Sequence, residues 1–349
     1  MVQGKSIRVL VVDDSMLART IITSGLSQHP RIEVIGSAIN TTDAKKKIES
    51  LKPDVITMDV EMPGQSGIDF LKEYIPSHPI PVVLVSSLNL KVFDALAAGA
   101  VDFVRKAGEQ NSRDAFIASL TQKVLIAAAS KVRPTPARDA YSNTPAKEVD
   151  PLGTSSMMDQ VMIGLGASTG GTEATLAIMK QLPADIPGMV IVQHMPTGFT
   201  KMYAERLNRL CQMEVREAVD GDEIHRGLAL VAPADFQARV VRKGNRYVLS
   251  CQPGEKVSGH RPSVDALFDS MANTVQCKMV GIILTGMGRD GANGLLAMRQ
   301  KGAYTIGQDK ESSVVYGMPM VANDIGAVCT QASCENIAGV LLRHLKTLR

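Results

Sequence analysis

No run in this chain approaches the roughly 18 consecutive apolar residues of a membrane-spanning helix, so none is expected to cross a bilayer. The five cysteines (Cys211, Cys251, Cys277, Cys329 and Cys334) are an odd number. None stands in a C-x-x-C, which argues against a disulfide framework and a thiolate zinc site. The formal net charge is only +3, too small for a nucleic-acid footprint. After Lys131 no helix-turn-helix pattern with clustered Lys and Arg is visible, which disfavours a DNA-binding output. No secretory leader is expected either, because Asp13 and Asp14 come too soon. These absences lead to an expectation of a reducing, cytoplasmic compartment. What remains is ordinary globular composition, 45% hydrophobic and 21% charged, over 349 residues.

The pattern within the chain is α/β twice over. Strand-like runs at Ile7–Val12, Ile32–Ser37, Val55–Met58, Val82–Val85 and Val101–Val104 lack period-two alternation. Such runs read as strands buried on both faces of a parallel sheet. Helical patterns such as Leu17–Leu26, Asp43–Leu51 and Gly67–Tyr74 lie between them, giving a (βα)5 array. A Pro-, Ser- and Thr-rich stretch with no apolar period follows. It predicts a flexible linker over 129–157, between a first domain 1–128 and a second domain 158–349. The second domain repeats the class, with strand-like runs at Val161–Leu165, Met189–Val192, Leu228–Val231, Met279–Leu284 and Ala303–Ile306. Lys243-Gly244-Asn245-Arg246 reads as a hairpin turn between Arg239–Arg242 and Tyr247–Ser250.

In open α/β sheets ligands bind beyond the carboxyl ends of the strands. In the first domain those ends carry Asp13-Asp14, Asp59, Ser86-Ser87 and Lys106. Three carboxylates at one edge repel unless a cation sits among them, and a hard ion with oxygen ligands, Mg²⁺, fits best. Asp59 is the central candidate for a carboxylate nucleophile toward phosphorus, giving an aspartyl phosphate. Lys106 and a serine hydroxyl would contact the phosphoryl oxygens.

The second domain's strand ends carry a different set. Ser168 sits in Gly166-Ala167-Ser168-Thr169-Gly170, His194 follows Gln193, and Asp290 lies in Gly286-Met287-Gly288-Arg289-Asp290-Gly291. A hydroxyl, an imidazole and a carboxylate at one sheet edge are the parts of an acyl-transfer triad. Each has a plainer reading: Ser168 and Asp290 could cap the helices that follow them, and His194 could be a core or capping histidine. Backbone N–H groups of the glycine-rich turn could form an oxyanion hole, with Met287 the first choice and Thr169 near the site. The order Ser, His, Asp differs from the α/β-hydrolase order. A dinucleotide fold would need glycine where Thr169 stands and an acid where Gln193-His194 ends the second strand.

Two resemblances follow from these residues. Val9-Leu10-Val11-Val12-Asp13-Asp14-Ser15, Asp59-Val60-Glu61-Met62-Pro63-Gly64 and Phe103-Val104-Arg105-Lys106 resemble a two-component receiver domain. The likeness implies Mg²⁺ held by Asp13, Asp14 and Asp59, phosphorylation of Asp59 by a partner histidine kinase, and Ser86 as the switch hydroxyl. Ala107 stands where receivers usually have Pro, and the fourth helix reads as about one turn short. In the second half, Gly164–Thr172, Gln193–Thr200, Gly259–Asp265, Leu284–Ala292 and Tyr316–Pro319 resemble the chemotaxis protein-glutamate methylesterase/glutamine deamidase family. That resemblance implies a doubly wound, largely parallel, Rossmann-like catalytic domain with Ser168 as nucleophile, His194 as base and Asp290 as acid. Its substrates would be methylated glutamates on cytoplasmic helices of methyl-accepting chemoreceptors, the phosphodonor a chemotaxis histidine kinase, and hydrolysis would need no cofactor. The receiver would restrain catalysis until phosphorylated. No nucleic-acid partner or membrane insertion is expected. The alternative is a phospho-regulated binding module on an inactive hydrolase-like scaffold. No role is carried onto Asp235, where the likeness to the family is weaker.

Overall fold

Strands whose every residue is apolar must be covered on both faces, and the parallel order with helical crossovers does this. A computed structural model of the chain describes residues 5–87, 91–108, 112–132, 145–146, 148–153 and 156–348. It divides into two units, Met1–Arg138 and Asp139–Arg349.

The first unit contains β1 (Ile7–Val12), α1 (Met16–Leu26), β2 (Ile32–Ala38), α2 (Thr41–Leu51), β3 (Val55–Asp59), α3 (Gly67–Tyr74), β4 (Val82–Ser86), α4 (Lys91–Ala97), β5 (Asp102–Arg105) and α5 (Arg113–Ala128). The sheet order is β2-β1-β3-β4-β5, all parallel. Every residue of β3 and β4 is buried. Side chains start several helices: Ser15 Oγ accepts from Ala18 N, Asn40 from Asp43 N, and Ser66 from Asp69 N. The short α4 has seven residues, and 88–90 before it lie outside the described residues.

The second unit contains β6 (Val161–Ala167), α6 (Gly171–Met179), β7 (Gly188–Gln193), α7 (Phe199–Leu210), β8 (Glu214–Glu217), β9 (Asp222–Glu223), β10 (Leu228–Val231), β11 (Gln237–Lys243), β12 (Arg246–Gln252), α8 (Val264–Thr274), β13 (Lys278–Ile283), α9 (Ala292–Gln300), β14 (Tyr304–Gln308), α10 (Met318–Asp324), β15 (Thr330–Ala332) and α11 (Cys334–Thr347). Seven parallel strands run in the order β15-β14-β13-β6-β7-β10-β8. The hairpin β11–β12 turns at Lys243–Arg246 and joins β9 in a separate antiparallel sheet. Strands β8, β9 and β15 are additions to the sequence reading.

Part of the stretch expected as a linker is tied to the second unit. Ala146 N donates to Leu210 O at 2.8 Å, and the amides of Leu152 and Gly153 donate to the Asp185 carboxylate at 2.8 and 3.0 Å. Arg226 also holds Asp185 and the Gly153 carbonyl. The flexible segment expected over 129–157 is therefore anchored at its C-terminal end.

Glycines in β6 bring α8 against the sheet. A Cβ on Gly166 would lie 2.2 Å from Val264 Cγ1, and one on Gly164 would lie 2.7 Å from Met271 Sδ. This approach sets the first residues of α8 beside the carboxyl end of β6. Gly166→Ala is expected to destabilise the unit by about 1–3 kcal/mol through overpacking. Gly254→Ala, where the nearest atom is Gln237 Cγ at 3.8 Å, is expected to be neutral. Denaturant midpoints of the two variants check this.

Candidate active site

In the seven-stranded sheet, β6 and β13 lie side by side, and the chain runs outward from them in opposite directions. This is the topological switch point, where open sheets leave a crevice beyond their carboxyl ends. Ser168 follows β6 and His194 follows β7, strands paired through Ala167↔Gln193. Asp290 follows β13 after the turn through Gly286.

The turn at Ser168 is held by backbone bonds. Ser168 N donates to Thr285 O at 3.0 Å, and Ser168 O accepts from Gly171 N at 2.7 Å and Gln193 Nε2 at 2.9 Å. Gly170 takes φ +77°, a left-handed conformation that costs glycine no Cβ clash. Gly286 lies so close that a Cβ there would be 2.7 Å from Ser168 Cβ. The carbonyl of Gly286 is in turn bound by the amides of Gly317 and Met318, which gives the Tyr316–Pro319 motif a structural task.

The plainer capping readings do not hold for either residue. Helix α6 is capped by Gly170 and α9 by Gly291, both without a side-chain bond. Asp290 instead reaches across to α8. Its Oδ1 accepts from Ser263 Oγ at 2.7 Å and Asp265 N at 3.0 Å, and its Oδ2 from Val264 N at 2.8 Å. The fourth contact is His194 Nε2, 2.8 Å from Oδ2. Burial opposes ionisation of Asp290, but His194, the Asp265 amide and the Ser263 hydroxyl outweigh it and hold the carboxyl below its usual range. An ionised carboxylate only accepts, so His194 Nε2 carries a proton and the lone pair of neutral imidazole falls on Nδ1. Nδ1 is buried and has no hydrogen-bond partner. His194 N bonds Ala167 O at 3.1 Å, next to Ser168. The other face of the ring stacks on His260, with centroids 3.8 Å apart and planes at 7°.

Behind Asp290 stands a second buried carboxyl, Asp265. Burial raises its pKa, and the Asp290 charge adds to this against the Gly294 amide and the Ser258 hydroxyl. Thr169 is buried and Met287 is 47% exposed, both in the turns that meet at Ser168. Asp235, at φ +70°, pairs with Arg261 at 2.9 Å. The cysteines are free, and burial pushes the thiols of Cys211 and Cys251 up to about 12, which leaves them poor nucleophiles.

The first unit brings its expected residues together at the end of β1, β3 and β5. Lys106 Nζ lies 2.7 Å from Asp59 Oδ2 and 3.2 Å from Asp13 Oδ2, with Ala107 after it. Burial raises the Asp59 pKa; Lys106 works against this, and Asp13 adds to it. The same carboxylates raise the Lys106 pKa against its own burial. One oxygen from each of Asp13, Asp14 and Asp59 lies within 4.8 Å of the others. An all-oxygen donor set of this kind suits a hard divalent ion. Ser86 is buried at the end of β4, its hydroxyl donating to Ser87 O at 2.8 Å.

A receiver-type sheet with an acidic pocket, followed by a parallel sheet with serine, histidine and aspartate at its switch point, is the make-up of a response regulator with an esterase output. Comparison with known families agrees: residues 163–341 match the CheB methylesterase family and residues 9–117 the response regulator receiver domain. The chain belongs to the CheB methylesterase family. A protein of Syntrophomonas wolfei named protein-glutamate methylesterase/protein-glutamine glutaminase 2 is 47% identical, over 99% of both chains. A relative of Syntrophotalea carbinolica with that enzyme name is also 47% identical, over 96% of both. The Thermotoga maritima CheB methylesterase catalytic domain superposes with a TM-score of 0.51 at 34% identity, covering 52% of this chain and 97% of that one. The reading as an inactive binding scaffold finds no support among these relatives.

The sequence pointed to Ser168, His194 and Asp290 but gave no role to Ser263, Gln237 or His260, although Gly259–Asp265 stood out as a motif. A fluorophosphonate probe is expected to label wild type and spare Ser168→Ala. Labelling of Asp290→Asn should slow by about three to four orders of magnitude, because the amide cannot accept from all four donors and keep the tautomer. Labelling rates followed by mass spectrometry check this.

Proposed function

We propose that the second unit hydrolyses glutamate methyl esters, and deamidates glutamines, on the cytoplasmic helices of methyl-accepting chemoreceptors, with Ser168, His194 and Asp290 as nucleophile, base and acid. The observation that carries this reading is the commitment of His194 Nε2 to Asp290, which leaves Nδ1 buried and unpartnered at the strand end next to that of Ser168. Ser168 Oγ attacks the ester carbonyl and its proton passes to His194 Nδ1. Asp290 stabilises the imidazolium that forms. The amides of Met287 and Thr169 are the proposed donors to the oxyanion. As the C–O bond breaks, His194 returns the proton and methanol leaves. Water, deprotonated by His194, then releases the glutamate and restores Ser168. On a glutamine side chain the same steps release ammonia.

Control is assigned to the first unit. A chemotaxis histidine kinase is the proposed phosphodonor and Asp59 the acceptor, with Lys106 and Ser86 contacting the phosphoryl oxygens. Asp13, Asp14 and Asp59 would hold Mg²⁺, which offsets negative charge at the phosphoryl group when bound. Lys106, already within 2.7 Å of Asp59, supplies a second positive charge there. Work in the cytoplasm is proposed on the nature of these partners. Among the described residues no helix is long and apolar enough to cross a membrane.

Methanol release from methylated receptor tests both halves. Acetyl phosphate with Mg²⁺ is expected to raise the rate of wild type and leave Asp59→Asn unchanged, while Ser168→Ala releases none. Equal rates with and without the phosphodonor would remove the regulatory assignment. Methanol release by Ser168→Ala would remove the catalytic one.

A further inference from the structure

The acid of the triad is itself held by a residue that touches no substrate. Ser263 is fully buried at the N-cap of α8. Its hydroxyl accepts from Ala266 N at 3.2 Å and donates to Asp290 Oδ1 at 2.7 Å. Its own amide donates to Gln237 Oε1 at 3.0 Å. Gln237, buried on β11, uses its Nε2 as well, donating to Glu255 O and His260 O, both at 3.0 Å. One glutamine amide thus pins the segment 255–263 at three points. That segment supplies Ser263, which orients Asp290, and His260, which lies flat against His194.

We propose that Ser263 is a positioning residue for this hydrolase: its hydroxyl stops the Asp290 carboxylate from turning, so that Oδ2 stays aligned with His194 Nε2. The proposal rests on reading Ser168, His194 and Asp290 as the triad. Without the Ser263 donor, Oδ1 keeps only the Asp265 amide and the carboxylate gains freedom about its last torsion. The bond to Nε2 then loosens, and the imidazole no longer favours the tautomer with its lone pair on Nδ1. Ground-state binding of the ester does not depend on this, so the loss falls on kcat and not on KM.

Capping and positioning can be separated, because glycine is tolerated at an N-cap far better than alanine. Ser263→Gly keeps an acceptable cap and removes the donor. Ser263→Ala removes both, and Ser263→Thr keeps the hydroxyl. With full-length protein and methylated receptor, kcat is expected to fall about tenfold or more in the Gly and Ala variants at unchanged KM, as loss of a hydrogen bond to a charged group would give. The thermal midpoint should drop further for Ala than for Gly, and Thr should recover most of kcat. A Ser263→Gly kcat within about twofold of wild type, or a Thr variant as slow as Gly, would overturn the proposal. Ser168→Ala is run in the same assay. If it releases methanol, the triad reading itself fails; if it is inert while Ser263→Gly is fully active, only the positioning role fails.

Discussion

A carboxylate that is 1% exposed has lost nearly all its water, which costs several kcal/mol unless the protein replaces those hydrogen bonds. Asp290 meets this constraint with four donors: two amides of the first turn of α8, the Ser263 hydroxyl and His194 Nε2. The positive end of the α8 dipole favours the same charge. Much of the second unit exists to make that arrangement possible. Glycines in β6 let α8 come close, the turn through Gly286 brings Asp290 back from β13, and Gln237 holds the segment that leads into α8. Because Asp290 stays ionised, His194 must donate to it through Nε2, and the basic nitrogen Nδ1 is left buried and unpaired.

Both units place charge by the same architectural rule. The order β2-β1-β3-β4-β5 changes direction between β1 and β3, where Asp13 and Asp59 emerge. The larger sheet changes direction between β6 and β13, where Ser168 and Asp290 emerge. The chemistry differs because the neutralising partner differs. In the first unit a lysine lies between two carboxylates and offsets their charge. In the second, two helix amides and a serine hydroxyl join an imidazole in satisfying Asp290.

The sequence made most strand positions and the strand-end residues readable, because strands buried on both faces carry unbroken apolar runs and their ends carry the polar residues. It hid what depends on contacts through space. Strand β8, Glu214–Glu217, buries only Val215, and β15, Thr330–Ala332, has no buried residue, so neither shows an apolar run. Both lie at sheet edges and are held by backbone pairing, which any residue supplies. Asp290 was readable as a cap, but of α9; that it serves α8 follows from the Gly166–Val264 approach, which no local pattern reports. The bonds of the stretch after 145 were hidden for the same reason: Leu152 and Gly153 reach Asp185 through backbone amides.

The position of β6 also bears on how the site comes into being during folding. Its neighbours on the two sides are β7, made soon after it, and β13, which pairs Val161 with Lys278 from a distant part of the chain. Contacts of such long sequence separation carry a loop-closure cost and form slowly. Ser168 and His194 can meet early in a growing chain, but Asp290 arrives only when β13 docks. The three residues therefore come together only once the chain from β6 to β13 has been made and paired.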